Sequence, residues 1–237
     1  MGELHIISRS ARPFPDRKEA GRLLGESLQT LAWGKENPVV LGILRGGIVV
    51  AREVARILDC QLDIILSRKI SAPFNPELAL GAISENGDLF LNNEIVGRTD
   101  TPSSYIDEQK EGQLQIINER IEYFRKGFPK IKLTGRQVII VDDGVATGAT
   151  MVATIWSVKR ENPRKLVVAL PVGPEDSLRQ LAEEVDSIIC LRAPELFSAV
   201  GQFYSKFEQT GDEEVLKIIN EEKDRIANEP AKAERSR

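Results

Sequence analysis

Two adjacent carboxylates, Asp142 and Asp143, end the apolar run at 138–141 and are followed by Gly144, Val145, Ala146, Thr147, Gly148, Ala149 and Thr150. The run reads as a buried strand, and the C-terminal ends of such strands are where open α/β sheets bind ligands. The small residues from Ala146 to Thr150 lead straight into a helix expected at about 149–159. Backbone N–H groups in such a turn, together with the helix N-terminus, make a nest for phosphate. Thr147 and Thr150 add hydroxyl donors, and Gly148 lets the backbone come close to the anion. Carboxylates repel phosphate, so Asp142 and Asp143 must face something else. Ribose hydroxyls, which donate hydrogen bonds, match them. The plain alternative is a strand-turn-helix with surface acids and a helix cap.

Two basic segments accompany this one. Leu44-Arg45-Gly46-Gly47 follows the apolar run at 39–44. Its glycines expose backbone N–H groups, and Arg45 supplies a fixed cation for phosphate oxygens. A tight strand-helix turn is the simpler reading of that stretch taken alone. Ser67-Arg68-Lys69 follows the apolar run at 62–66, where a solvated pair of charges is equally common. The next stretch, 71–77, is polar and punctuated by Pro73 and Pro76, as a lid is, although proline restricts its freedom.

The elements that position these residues are read from periodicity. Apolar runs at 39–44, 62–66, 138–141, 166–172 and 187–191 read as strands, and 48–58, 149–159 and 175–184 read as helices between them. Continuous apolar strands separated by helices predict a Rossmann-like α/β fold, a parallel sheet with helices on both faces. The segment 71–132 breaks the rhythm and reads as a hood or cap insertion. It holds short strand-like pieces around Asn86-Gly87, a hairpin signal. A long helix then opens near Pro102, with Ser104 and Asp107 spaced as a capping box. Another helix is expected at 16–33. The reading is one domain over 1–220, and a charged, frayed tail at 221–237.

The 237 residues carry a net charge of -4, which argues against a dedicated nucleic-acid binder. Hydrophobic residues are 41% and charged residues 29%, the profile of a globular protein. His5 is the only histidine, and Cys60 and Cys190 are the only cysteines. These exclude a His/Cys zinc cluster, and both thiols read as buried and reduced. No apolar run approaches the roughly 18 residues of a membrane span, and the first 15 residues lack the apolar core of a signal peptide. A cytoplasmic protein is the expectation.

The strand, acidic pair and Thr147-Gly148-Ala149-Thr150 resemble the ribose-phosphate motif of type I phosphoribosyltransferases, and the Arg45 and Arg68-Lys69 segments fall where that family has its other loops. The resemblance extends over about 39–191. It implies transfer of a 5-phosphoribosyl group from 5-phospho-α-D-ribose 1-diphosphate (PRPP) to a nucleobase or related nitrogen acceptor, with release of pyrophosphate. It assigns the sugar-phosphate site to Val145, Ala146, Thr147, Gly148, Ala149 and Thr150. Asp142 and Asp143 go to the ribose hydroxyls, directly or through Mg²⁺-bound water. Arg45, Gly46, Gly47, Arg68 and Lys69 go to pyrophosphate. Asp142, Asp143, Arg45 and Lys69 are thus the catalytic candidates, and Mg²⁺ the implied cofactor. The family often has a cis peptide in the pyrophosphate loop, which places one at Leu44-Arg45.

Hypoxanthine and guanine members carry Asp immediately before the Thr-Gly pair. Here Ala146 stands there, as it does in adenine and uracil members. The stretches 68–83 and 197–215 are similar to a subgroup whose members carry no assigned acceptor. Phe74, Phe197 and Phe203 are candidates to stack on a base, and Asn75 and Glu77 to read its polar edge. The family's habit implies a homodimer. The competing reading is a regulator that senses PRPP or a nucleotide without catalysis, and retention of Arg45 and Lys69 counts for the enzyme.

Overall fold

The computed structural model describes residues 2–31, 33 and 38–234. Six parallel strands form the central sheet: β1 (Glu3–Ser8), β2 (Val39–Ile43), β3 (Gln61–Ile65), β7 (Gln137–Val141), β8 (Lys165–Val172) and β9 (Ser187–Arg192). Their spatial order is β1-β9-β8-β7-β2-β3. The chain leaves β2 toward β3, then returns to lay β7 on the other side of β2. Strand order therefore reverses between β2 and β7, which makes a crevice at their C-terminal ends.

Helices cover both faces, as the continuous apolar strands predict. On one face α1 (Arg17–Thr30), α2 (Gly46–Leu58) and α7 (Asp212–Glu234) pack on Val40, Ile64, Ile139 and Val167. On the other, α5 (Ala149–Lys159) and α6 (Glu175–Ala182) pack on Leu41, Val138, Ile140 and Val168. Adjacent residues of one strand thus serve opposite cores, the period of two that a sheet imposes. Cys60 and Cys190 are buried free thiols, and burial pushes both up to about 12.

The expected insertion is a three-stranded antiparallel sheet, β4 (Ser67–Ala72), β5 (Asn75–Ser84) and β6 (Leu89–Leu91), followed by α3 (Asn93–Arg98) and α4 (Ser103–Phe124). The Asn86-Gly87 turn joins β5 to β6, with Gly87 at φ 81°. One face of this small sheet, through Ile70, Leu80 and Ile83, packs on Ile117 of α4. The other, through Ala79 and Ala82, packs on Ala153 and Trp156 of α5. Arg125, just past α4, reaches Asp63 of β3 and Glu85 after β5, and all three side chains are buried. This knot ties the insertion to the central sheet.

Three expectations are corrected and two elements are added. The insertion's sheet begins at Ser67 rather than near residue 71, so 71–77 is two strand ends and a tight turn rather than a loop-like lid. Ser104 and Asp107 lie inside α4, whose N-cap is Pro102 and which has no side-chain cap. The segment from 221 to 234, expected as a frayed tail, continues α7. Finally, β1 and α3, too short or too polar to show periodicity, are additional elements.

Candidate functional site

The reversal point collects the predicted residues because both flanking strands end there. β7 delivers Asp142 and Asp143, and β2 delivers Leu44 and Arg45 through a peptide bond that is cis, as the resemblance implies. α2 and α5 start at this edge, and neither has a side-chain cap or an acid in its first turn. Two helix N-termini therefore leave their first N–H groups for an external anion.

The loop at 145–150 is anchored at its base and open at its tip. The Val145 N–H donates to the Val172 carbonyl at 2.9 Å, and the Ser177 hydroxyl donates to the Ala146 carbonyl at 2.6 Å. Ala146, Thr147 and Thr150 are exposed. Among the described residues, the N–H groups of Ala146, Thr147 and Gly148 donate to no main-chain carbonyl. Gly148 sits at φ 81°, in the left-handed region that glycine tolerates and other residues resist.

The two acids are packed tightly. A side chain on Gly47 would place its Cβ 2.7 Å from Asp142 Oδ1, so only glycine lets the α2 turn approach the acid. Asp142 Oδ1 accepts from the Asp143 N–H at 2.8 Å. Asp143 Oδ2 accepts from Arg17 Nε at 2.7 Å, and the Tyr204 hydroxyl donates to the Asp143 carbonyl at 2.5 Å. Arg17 in turn lies over the Phe207 ring, 3.9 Å from its centroid. Burial raises the pKa of both acids. For Asp142 the neighbouring Asp143 charge pushes further the same way, and for Asp143 the Arg17 guanidinium opposes the rise. The Tyr204 hydroxyl is held well above its ordinary pKa by burial and the Asp143 charge. Its role is therefore that of a neutral donor.

One oxygen of each acid, Asp142 Oδ2 and Asp143 Oδ1, has no partner among the hydrogen bonds above. Two free carboxylate oxygens do not make a cage. No group of three metal-binding side chains exists among the described residues. This donor set fits a hard cation such as Mg²⁺ that keeps most of its water and takes other oxygens from a bound phosphate.

The basic candidates are divided. Arg68 and Lys69 are neighbours on β4, so they point to opposite faces. Arg68 faces α4, its Nε donating to Gln113 Oε1 at 2.7 Å, while Lys69 is half-buried on the side of α5. Arg45 and Arg68 line a cavity of about 390 Å³ beneath α4, and Thr150 closes it from the other side. The base-reading candidates also change. Phe203 is buried in the core and stacks on Phe197, centroids 5.1 Å apart, so its ring is not offered to a ligand. Phe74 is fully exposed at the β4–β5 turn. Asn75 Oδ1 accepts from the Glu77 N–H at 3.1 Å, inside its own turn. Glu77 Oε2 accepts from the Thr147 hydroxyl at 2.8 Å, so it meets the expected phosphate loop rather than a base.

Sequence reasoning missed Arg17, Tyr204, Arg120 and Asp212. Arg17 follows the α1 N-cap Asp16, a position that signals only a helix start. Arg120 Nη1 donates to both oxygens of Asp212, at 3.2 Å each, from the half-buried, cavity-facing side of a helix that sequence reads as packing alone.

Comparison with known proteins identifies the family. Residues 16–208 match the family model described as phosphoribosyl transferase domain. The Mycobacterium tuberculosis H37Rv protein named "Putative phosphoribosyl transferase Rv0571c" is 44% identical over 207 residues, 87% of this chain and 46% of its own length. A second M. tuberculosis protein, MT0597 of strain CDC 1551, matches to the same extent. The chain thus spans about half the length of these curated relatives. The crystal structure of TT1426 from Thermus thermophilus superposes with a TM-score of 0.82 at 44% identity, covering 88% of this chain and 98% of that one.

Proposed function

The chain belongs to the phosphoribosyl transferase family, and from that premise we propose that it transfers the 5-phosphoribosyl group of PRPP to a nitrogen acceptor, releasing pyrophosphate. One observation carries the reading: an acid pair, an uncapped threonine-bearing turn and an arginine-bearing glycine turn meet where the strand order reverses. A sugar with a phosphate at one end and a diphosphate at the other needs those three groups in that arrangement.

In this reading the 5-phosphate takes the N–H groups of Ala146, Thr147, Gly148, Ala149 and Thr150, with the threonine hydroxyls, and Val145 anchors the turn. Asp142 and Asp143 accept from the 2- and 3-hydroxyls through their free oxygens. Arg17 and Tyr204 hold Asp143 in place from behind. Arg45, the Gly46 and Gly47 amides and Arg68 face the diphosphate, and Lys69 adds its charge from the opposite face of β4. The acceptor nitrogen bonds to C1 as the C1–O bond to diphosphate breaks; that electron pair leaves with the diphosphate, and the proton the heterocycle gives up passes to solvent. Cationic groups fixed before the reaction stabilise the charge that grows there, and the positioning of donor and acceptor supplies much of the rest. Bound Mg²⁺, held by substrate oxygens, water and the two acids, would neutralise diphosphate charge. The acceptor class is a nucleobase or a related nitrogen heterocycle, and Ala146 directs attention to adenine and pyrimidines before hypoxanthine and guanine.

The test is PRPP consumption with pyrophosphate release, measured with Mg²⁺ against a panel of adenine, pyrimidines and other nitrogen heterocycles. Turnover with one acceptor is expected. Tight PRPP binding with no turnover on the whole panel would replace transfer with sensing, and no PRPP binding at all would remove both.

A further inference from the structure

The cavity beneath α4 contains more positive charge than the sequence motifs account for. Its lining includes Arg45, Arg68 and Arg120, with the Thr150 hydroxyl as a neutral donor. Among the described residues, Arg68 has only the neutral Gln113 as a hydrogen-bonding partner. Arg45 and Arg120 share one carboxylate, Asp212, at the start of α7. Three guanidiniums therefore answer to one acid among the described residues. A guanidinium cannot discharge itself by losing a proton, so the imbalance persists at any physiological pH.

The contacts to Asp212 are also long. Arg45 Nη1 lies 3.3 Å from Asp212 Oδ1, and Arg120 Nη1 lies 3.2 Å from both Asp212 oxygens. Charge-assisted pairs close to about 2.7–2.9 Å when their geometry is good. Asp212 and Arg120 keep 33% and 43% of their side-chain surface exposed, so water competes for the pair. Such a carboxylate is displaceable by an anion with more oxygens and more charge.

We propose that Arg120 belongs to the diphosphate site as a third guanidinium, and that Asp212 is the internal carboxylate the diphosphate displaces. This rests on the transfer reading above and extends it to two residues outside the family's loops, one on the inserted helix and one on the C-terminal helix. Displacement frees Arg45 and Arg120 together, and the cavity then presents three planar cations to one polyanion. Asp212 sets the affinity: it competes with diphosphate and so speeds its departure.

The experiment measures, by titration calorimetry with Mg²⁺ present, diphosphate binding and separately ribose 5-phosphate binding. The wild-type chain is compared with Arg120→Gln and Asp212→Asn. Arg120→Gln should weaken diphosphate by about tenfold or more, the loss of one charged contact. Asp212→Asn should tighten it severalfold. Ribose 5-phosphate should bind alike in all three. The opposite signs are the diagnostic, because an ion pair that merely braces α4 against α7 would make both variants move the same way. Shifts of the same sign, or unaltered diphosphate binding, overturn the proposal while leaving transfer standing. Failure of ribose 5-phosphate to bind the wild-type chain overturns the transfer reading itself.

Discussion

Asp142 shows what one half-buried, largely desolvated charge costs and what it is kept for. Burial and the adjacent Asp143 raise its pKa well above the usual carboxylate range. A carboxyl whose pKa is higher in the fold than in the unfolded chain binds its proton more tightly when folded. Its ionisation therefore subtracts stability as pH rises past the unfolded value near ~4, and the full cost is reached above the folded value. Asp142→Asn removes that charge and keeps an Oδ1 for the Asp143 N–H. The variant should match the wild type in melting temperature below roughly pH 4 and exceed it increasingly toward neutral and alkaline pH, while ribose binding falls. A melting temperature lower than wild type at pH 8 would show that something other than burial governs the acid. Site residues such as this one were legible because strand, acids and threonine turn are contiguous in sequence. Arg17, which holds the second acid from 126 positions away, carried no such signal.

At the scale of elements, the β4–β5 hairpin sends a carboxylate to the phosphate turn. Glu77 stands just past the tight turn of a strand pair fixed by its ladder to β6 and by packing against α4 and α5. Its Oε2 takes the Thr147 hydroxyl, one of the donors assigned above to the 5-phosphate. Two anions cannot share that place, so phosphate binding must turn Glu77 away and bear its repulsion. Glu77→Gln retains the length and removes the charge, and should tighten ribose 5-phosphate several-fold by calorimetry. Weaker binding would instead make Glu77 a group that orients Thr147 for its ligand. The sequence did mark this segment as an interruption and located its hairpin at Asn86-Gly87. It did not reveal β4, because Ser67, Arg68 and Lys69 are polar residues on a strand whose two faces pack on different helices. Period-two alternation is hidden when small and charged residues serve a packed face.

Across the whole molecule, the parallel sheet and its helices followed from continuous apolar runs, which leave little freedom once both faces must be covered. The C-terminal helix did not follow, since charged residues make up about half of its sequence and run throughout it. The apolar residues of its first four turns nonetheless lie on one side. Val215, Ile218 and Ile219 are at most 2% exposed and join the core of the α2 face. Glu222, itself buried, accepts from the Leu62 N–H at 3.1 Å, so α7 satisfies a main-chain donor on β3, the sheet's edge strand. An uncovered edge strand is a template for aggregation. Burying a Val or Ile contributes about 1.5–3 kcal/mol, so these three contribute roughly 5–9 kcal/mol as an upper figure. A domain's whole stability is about 5–15 kcal/mol. A chain ending at Gly211 should therefore lose most of its stability, seen as a denaturant midpoint moved far toward zero or as insoluble protein. An unchanged midpoint would mean that α7 rests on the domain without supporting it. The same helix begins with Asp212, so the element that seals the edge of the sheet also delivers the carboxylate paired with Arg45 and Arg120. Stability and anion affinity are thereby joined in one segment. Asp212→Asn and the truncation separate the two roles, because the first removes only a charge and the second removes the buried face as well.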